Sequence, residues 1–174
     1  MKNFPVKVDG KEYWISRAVA VCCAVFKIKD NNIYVLTEIR GKGAADFQGK
    51  YCMPCGYLDY DETVSEACAR EVFEETGMKI NDKKLKIISI NSDPKEKRQN
   101  VTIRFTYQAK EDEDFNTKDA KGGEKDEIED VLWLKVGNID REKNKIKWLN
   151  LDKTQWAFNH VSLMKKLIKI KNII

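Results

Sequence analysis

The sequence predicts a single α/β domain over residues 1–174. Three observations carry that expectation. Two β-rich runs, AVAVCCAVFKI and IYVLTEI, are joined by KDNN, whose Asp and Asn residues favour a turn, and read as a hairpin. A stretch from Thr63 to Thr76 has helical spacing with both ends marked. Further β-rich runs then lead to an amphipathic close.

After the hairpin comes GKGAADFQGKYCMPCGYLDYDE, rich in Gly and turn residues; a loop of that length inside a compact domain is usually functional. The helix follows. Thr63 is placed to be its N-cap, Glu66 stands three residues later as the partner of a capping box, and Gly77 sits where a C-terminal cap is wanted. KLKIISINS and NVTIRFTYQAK read as two strands separated by the polar DPKEKRQ. EDVLWLKV reads as another, after the acidic EDEDFNTKDAKGGEKDE, which is either a solvated or a functional loop. From about Asp152 to Ile170, apolar Trp156, Val161, Met164, Leu167 and Ile168 suit a helix that closes the core, in preference to one lying on a membrane. The chain has no internal repeat.

Composition sets the class. With 42% hydrophobic and 34% charged residues, the chain reads as an ordinary soluble globular protein. A net charge of +4 falls short of the clustered positive charge of a dedicated nucleic-acid binder. No run of apolar residues is long enough to span a membrane, and MKNFPVKVDGKEYW lacks the apolar core of a signal peptide, so a cytoplasmic location is expected. Five cysteines, an odd number, fit a reducing compartment. The CMPC of Cys52 to Cys55 matches half a zinc site or a redox dithiol. Against zinc, no second pair follows and the only histidine, His160, is more than a hundred residues away; against redox chemistry, the pair does not open a helix.

The chemistry concentrates in REVFEETG. At about 100° per residue, Val64, Ala67, Cys68 and Val72 form the apolar face of the helix. Glu71 and Glu75 project from within that arc, with Glu74 at its edge. Clustered half-buried carboxylates raise one another's pKa and lose hydration, so they need a counter-charge. Arg70 supplies one cation for three acids as a salt-bridge account; the alternative is a hard divalent ion, which wants oxygen ligands that helical spacing brings within about 5–6 Å. Magnesium at such a site takes further ligands from phosphate oxygens, which points to phosphoanhydride or phosphoester chemistry.

GYLDYDETVSEACAREVFEETGM, Gly56 to Met78, resembles the Nudix box: Gly, five residues, Glu, seven residues, then Arg-Glu-apolar-x-Glu-Glu-x-Gly-apolar. Gly56, Glu62, Arg70, Glu71, Val72, Glu74, Glu75, Gly77 and Met78 fill every fixed position. The resemblance implies a Nudix fold, a mixed β-sheet sandwiched between helices, and Mg²⁺- or Mn²⁺-dependent cleavage of a nucleoside diphosphate linked to another group. Glu71, Glu74 and Glu75 would be metal ligands, one of them orienting or deprotonating the attacking water. Glu62 and Arg70 would pair to hold the loop against the helix. Family members often carry two glycines after the proline; here Pro54 is followed by Cys55 and Gly56, and Cys55 would offer its main-chain carbonyl to the metal. Many members bring an extra carboxylate from the region of Glu124, Asp126 and Glu127, and Glu127 is the choice here.

The resemblance also bears on substrate. A proline roughly sixteen residues past the box is associated with ADP-ribose hydrolysis, and Pro94 stands there; WAFNH, Trp156 to His160, looks like the segment that opens the last helix of ADP-ribose-type members. Together they favour a small-molecule nucleoside diphosphate sugar. The competing readings are a housecleaning nucleoside triphosphate pyrophosphohydrolase and a non-catalytic ADP-ribose sensor. The sensor is opposed by the short stretch after the last expected strand, too small for a DNA-binding domain. RNA decapping lacks a basic track interleaved with aromatics. Arg40, at the end of its strand, is a candidate phosphate clamp or a surface arginine. Phe47, Tyr51 and Tyr57 could stack on a base or fill core edges. Dimers are common in the family, so a homodimer is compatible with the resemblance.

Overall fold

The structure is a computed structural model and describes residues 3–120 and 126–169. Strands β1 (Phe4–Val8) and β2 (Lys11–Ile15) form a small separate sheet. The main sheet holds β3 (Val19–Lys29), β4 (Asn32–Arg40), β5 (Tyr51–Cys52), β6 (Cys55–Tyr57), β7 (Lys86–Asn91), β8 (Val101–Gln108), β9 (Ile128–Asp140) and β10 (Lys145–Trp148). Its order is β10-β9-β4-β3-β8-β7, with β5 added to β4 and β6 to β3. The β3–β8 pair is parallel and the others are antiparallel, so the sheet is mixed as expected.

The hairpin forms where KDNN marks it. Lys29 pairs with Asn32, and Asp30 and Asn31 both take positive φ, the two-residue turn whose twist suits antiparallel strands. The hairpin then splays. β3 pairs with β4 only from Phe26 to Lys29, while its earlier residues Ala20 to Cys22 pair with β6, and β4 pairs with β5 at Glu38 and Ile39. The CMPCG loop is thereby inserted into the opening of the sheet, which fixes the residues that precede the glutamate helix.

That helix is α1 (Val64–Thr76). The Thr63 side chain accepts from the Glu66 amide and the Glu66 carboxylate accepts from the Thr63 amide, so the capping box is complete. Gly77 ends the helix in the left-handed region, φ 72°. A Cβ there would also lie 1.9 Å from the Asn116 carbonyl oxygen, so both backbone conformation and space require glycine.

Strand β3 is buried from Val21 to Phe26, as a strand covered on both sides must be. Its side chains alternate. Val21, Cys23 and Val25 join Ala67, Cys68 and Val72 of α1 in one core; Cys22, Ala24 and Phe26 join Val161, Met164 and Leu167 of α2 (His160–Leu167) in the other. The sheet is sandwiched between the two helices. Among the described residues, no helix is long and apolar enough to cross a membrane.

Two sequence expectations need correction, the closing helix and the extent of the strand at EDVLWLKV, and the N-terminal stretch adds a hairpin for which no expectation was stated. The closing helix is shorter than Asp152 to Ile170: Lys153–Gln155 is a 3₁₀ turn, and α2 begins only at His160. Trp156 instead makes an isolated parallel bridge with Tyr51, and the Ala157 amide donates to the Tyr51 carbonyl at 2.9 Å, so pairing to the sheet overrides helical spacing there. Ile170 lies outside the described residues. The N-terminal stretch is a hairpin through Asp9 and Gly10, φ 48° and 79°. Strand β9 runs on beyond EDVLWLKV and is followed by the unforeseen β10.

Candidate active site

Arg70 organises the carboxylates. Its Nε and Nη2 donate to the two oxygens of Glu62 at 3.0 and 2.9 Å, a bidentate pair that ties the loop before α1 to the helix. Nη1 donates to Glu71 Oε1 and Glu74 Oε2, both at 2.9 Å, and Nη2 reaches the Tyr57 carbonyl at 2.8 Å. The Glu62 carboxylate, first among these partners, holds the guanidinium charged, and Arg70 in turn lowers the Glu62 pKa. The expected Glu62–Arg70 pairing is present.

Glu75 takes a different environment. It is buried, 6% exposed, and its Oε2 accepts from the Cys55 amide at 2.9 Å. Cys55 stands opposite Cys22 between two hydrogen-bonded positions of the β3–β6 ladder, shown by Cys23 N donating to Pro54 O and Leu58 N to Val19 O. Its amide and carbonyl therefore both turn away from β3, which leaves the carbonyl on the side of Glu75. Burial raises the Glu75 pKa well above the ordinary carboxyl range, and the neighbouring Glu38 and Glu71 add to the shift. Burial also raises Glu71, against the opposing pull of Arg70.

Glycine at position 56 has a steric cause. A Cβ on Gly56 would lie 2.2 Å from Glu71 Oε1, so the carboxylate packs against bare backbone.

Glu38 was missed by the sequence reading. It lies on β4, wholly buried, and neither carboxylate oxygen has a hydrogen bond. Its charged neighbour is Arg40, with Nη1 3.7 Å from Oε1, and burial raises its pKa well above the usual value. Arg70 thus pairs with Glu62, Glu71 and Glu74 and Arg40 with Glu38, while Glu75 pairs with neither guanidinium. The excess of buried, partly unpartnered oxygen donors fits a hard divalent cation.

That fit has a thermodynamic consequence. Burial raises the Glu75 and Glu71 pKa values above those of the unfolded chain, so in the metal-free chain their contribution to stability falls as pH rises through the raised values. Buried His160, brought down to about 3, acts oppositely up to the unfolded value near 6.5. The difference between melts with and without Mg²⁺ cancels the histidine. The Mg²⁺-induced rise in Tm is expected to grow from about pH 5 to about pH 8, because the cation competes with protons for the carboxylates. A rise independent of pH, or larger at pH 5, contradicts the assignment.

The remaining candidates are scattered around this centre. Arg40 is buried: its Nε donates to the Asp46 carbonyl at 2.8 Å and its guanidinium lies 5.5 Å from the Phe158 ring centroid, so it is no surface arginine. Phe47 is exposed and packs edge-on against Phe158 at 4.7 Å. Tyr57 is exposed, its hydroxyl accepting from Asn100 at 3.3 Å. Tyr51 packs against Trp156 in the core, which takes it out of the stacking candidates. Pro94 lies in the exposed turn between β7 and β8. From that same turn Arg98, also missed, pairs with Asp46 and sits 5.4 Å from the Phe158 ring. Glu127 is tied by its carbonyl to the Gly41 amide at 2.6 Å, and Asp126 by its carbonyl to Gly43; Glu124 lies outside the described residues.

The sequence distance that argued against His160 at CMPC is overturned by the fold. The Met53 amide donates to His160 Nδ1 at 3.0 Å, and Cys52 Sγ lies 3.6 Å from the same nitrogen.

A mixed sheet between helices, with an arginine-braced glutamate cluster at a loop–helix junction, fits cation-assisted hydrolysis of phosphoanhydrides. The NUDIX domain family model matches residues 16–160. An ADP-ribose pyrophosphatase of Methanocaldococcus jannaschii is 28% identical over 171 residues, covering 98% of this chain and 86% of that one. A MutT/nudix family protein from Enterococcus faecalis superposes with a TM-score of 0.65 at 18% identity, over 88% of this chain and 61% of its own length. The NUDIX domain of Shewanella oneidensis NrtR, solved with ADP ribose, gives 0.62 at 19% identity over 87% and 86%. The chain belongs to the Nudix family and is a Nudix hydrolase, of a family that generally requires a divalent metal.

Proposed function

We propose that this Nudix unit hydrolyses the diphosphate of ADP-ribose, or of a similar ADP-sugar, to AMP and a sugar phosphate. The observation that carries the substrate assignment is the meeting of Phe47, Phe158, Arg40 and Arg98. The turn containing Pro94 and the segment WAFNH, distant in sequence, contribute Arg98 and Phe158 to one aromatic and cationic cluster. Such a cluster suits a stacked base beside phosphate oxygens. Arg40 links it to Glu38, and so to the glutamate centre. The archaeal relative named for ADP-ribose supports the same assignment.

In the mechanism, Glu71, Glu74 and Glu75, with the Cys55 carbonyl, would hold Mg²⁺ or Mn²⁺. When bound, the cation neutralises charge developing on the non-bridging diphosphate oxygens. Arg70 keeps Glu71 and Glu74 side by side, and its pair with Glu62 fixes the loop that presents Cys55. Water attacks one phosphorus, its proton passes to a carboxylate of the cluster, and the bridging P–O bond breaks so that the other phosphate leaves with its own nucleoside or sugar. Glu127, anchored beside Arg40 through Gly41, is the proposed additional carboxylate.

A substrate panel with Mg²⁺ and Mn²⁺, read by chromatography of products, tests this. ADP-ribose or another ADP-sugar should give the highest kcat/KM. If a nucleoside triphosphate exceeds every ADP-sugar tenfold, a gap of about 1.4 kcal/mol in transition-state stabilisation, the triphosphate reading replaces it. Light scattering on the same samples reads assembly. Phe4, Val8, Trp14 and Ile15 leave the β1–β2 sheet with exposed apolar surface, which argues for a homodimer; a monomer at assay concentration contradicts that.

A further inference from the structure

Three metal-ligating side chains converge on the α2 side of the CMPC loop. Cys52 Sγ lies 3.8 Å from Cys55 Sγ and 3.6 Å from His160 Nδ1, and one ligand atom from each of the three residues falls within 4.8 Å of the others. A tetrahedral zinc with S and N bonds of about 2.3 and 2.05 Å has S···S and S···N edges of about 3.8 and 3.5 Å. The Cys52–Cys55 and Cys52–His160 separations match these edges.

We propose that Cys52, Cys55 and His160 form a site for one thiophilic divalent cation of zinc type, with its fourth position left to water, separate from the hard-cation site of the box glutamates. The two sites use different atoms of one residue. The Cys55 amide and carbonyl face Glu75, whereas its sulfur faces Cys52. Hardness sorts the ions: carboxylate and carbonyl oxygens suit Mg²⁺ or Mn²⁺, thiolates and imidazole suit Zn²⁺.

Binding releases one proton from each thiol to solvent and forms two metal–thiolate bonds, with no change of oxidation state. It also replaces the hydrogen bond from the Met53 amide to His160 Nδ1 by a metal–nitrogen bond. Cys55 is half-buried and gives the ion a way in, while Cys52 and His160 are buried. The bound ion would cross-link the strand before the box to the first residue of α2.

The experiment is a Co²⁺ titration of the reduced, metal-free full chain, followed by Zn²⁺ competition. The expected result is thiolate-to-cobalt charge-transfer absorption with tetrahedral visible bands, saturating at one ion per chain and displaced by Zn²⁺. Cys55→Ser and Cys52→Ser should each abolish the band or weaken binding at least tenfold, and His160→Gln should shift the visible bands. Glu71→Gln should leave the band intact, because it contributes only to the oxygen site. If Cys52→Ser fails to fold by circular dichroism, the half-buried Cys55→Ser decides. No charge-transfer band in the folded, reduced chain overturns the proposal, as does a folded Cys55→Ser variant whose band and Co²⁺ affinity are unchanged.

Discussion

Glu75→Gln is expected to lower kcat at least a hundredfold while the protein stays folded. The amide preserves the shape of the side chain, and its remaining carbonyl oxygen can still accept from the Cys55 amide, the one hydrogen bond that places Glu75. What disappears is a charge that opposes a divalent cation. Loss of a residue that merely orients a metal ligand typically costs 10–100-fold, so losing a ligand itself should exceed that range. Stability should hold or rise in the metal-free protein, because burial and the neighbouring Glu38 both disfavour the charged form that glutamine removes. Steady-state kinetics alongside a thermal melt separates the two effects. Near-native turnover would place the cation elsewhere.

Gly56→Ala should be nearly as damaging, for a steric reason. Its Cβ would be built 2.2 Å from Glu71 Oε1 and 2.3 Å from Oε2, so the carboxylate must leave its position or the β3–β6 pairing must shift. Glu71 is held from the other side by Arg70 at 2.9 Å, and moving it also disturbs the guanidinium shared with Glu62 and Glu74. A loss of kcat of about a hundredfold is expected, on the scale of a misplaced catalytic group. Wild-type kinetics with a folded variant would mean that Glu71 does not need the position it occupies.

The two predictions concern the part of the protein that sequence made most legible. A 3.6-residue period, a capping box at Thr63 and Glu66 and a glycine stop at Gly77 mark α1 in the sequence, and three glutamates on or beside its apolar arc mark the candidate chemistry. The hairpin turn at Asp30 and Asn31 was equally plain, because local backbone preference decides it. Features set by long-range packing were not. Glu38 sits in a β-rich run, where a single charged residue reads as facing water; only the splaying of β3 from β4 shows that it is buried beside Cys52. His160 lies far along the chain from CMPC, Arg98 carries no sequence signal of its own, and Phe158 is marked only as part of WAFNH; the β7–β8 turn and WAFNH meet at Asp46 and Phe47 only in the fold. The hairpin at Asp9 and Gly10 did carry a readable signal, an Asp-Gly pair between alternating residues, in a stretch considered only as a leader.

Metal-dependent cleavage of a nucleoside diphosphate sugar at the cluster around Arg70, as proposed, is tested by the product profile from ADP-ribose incubated with chain stripped of metal, with excess EDTA, and after addition of Mg²⁺ or Mn²⁺. No turnover is expected in EDTA, and equimolar AMP and ribose 5-phosphate once either metal is restored. Hydrolysis that persists in EDTA after verified metal removal, or metal-restored protein that leaves ADP-ribose intact, would contradict it.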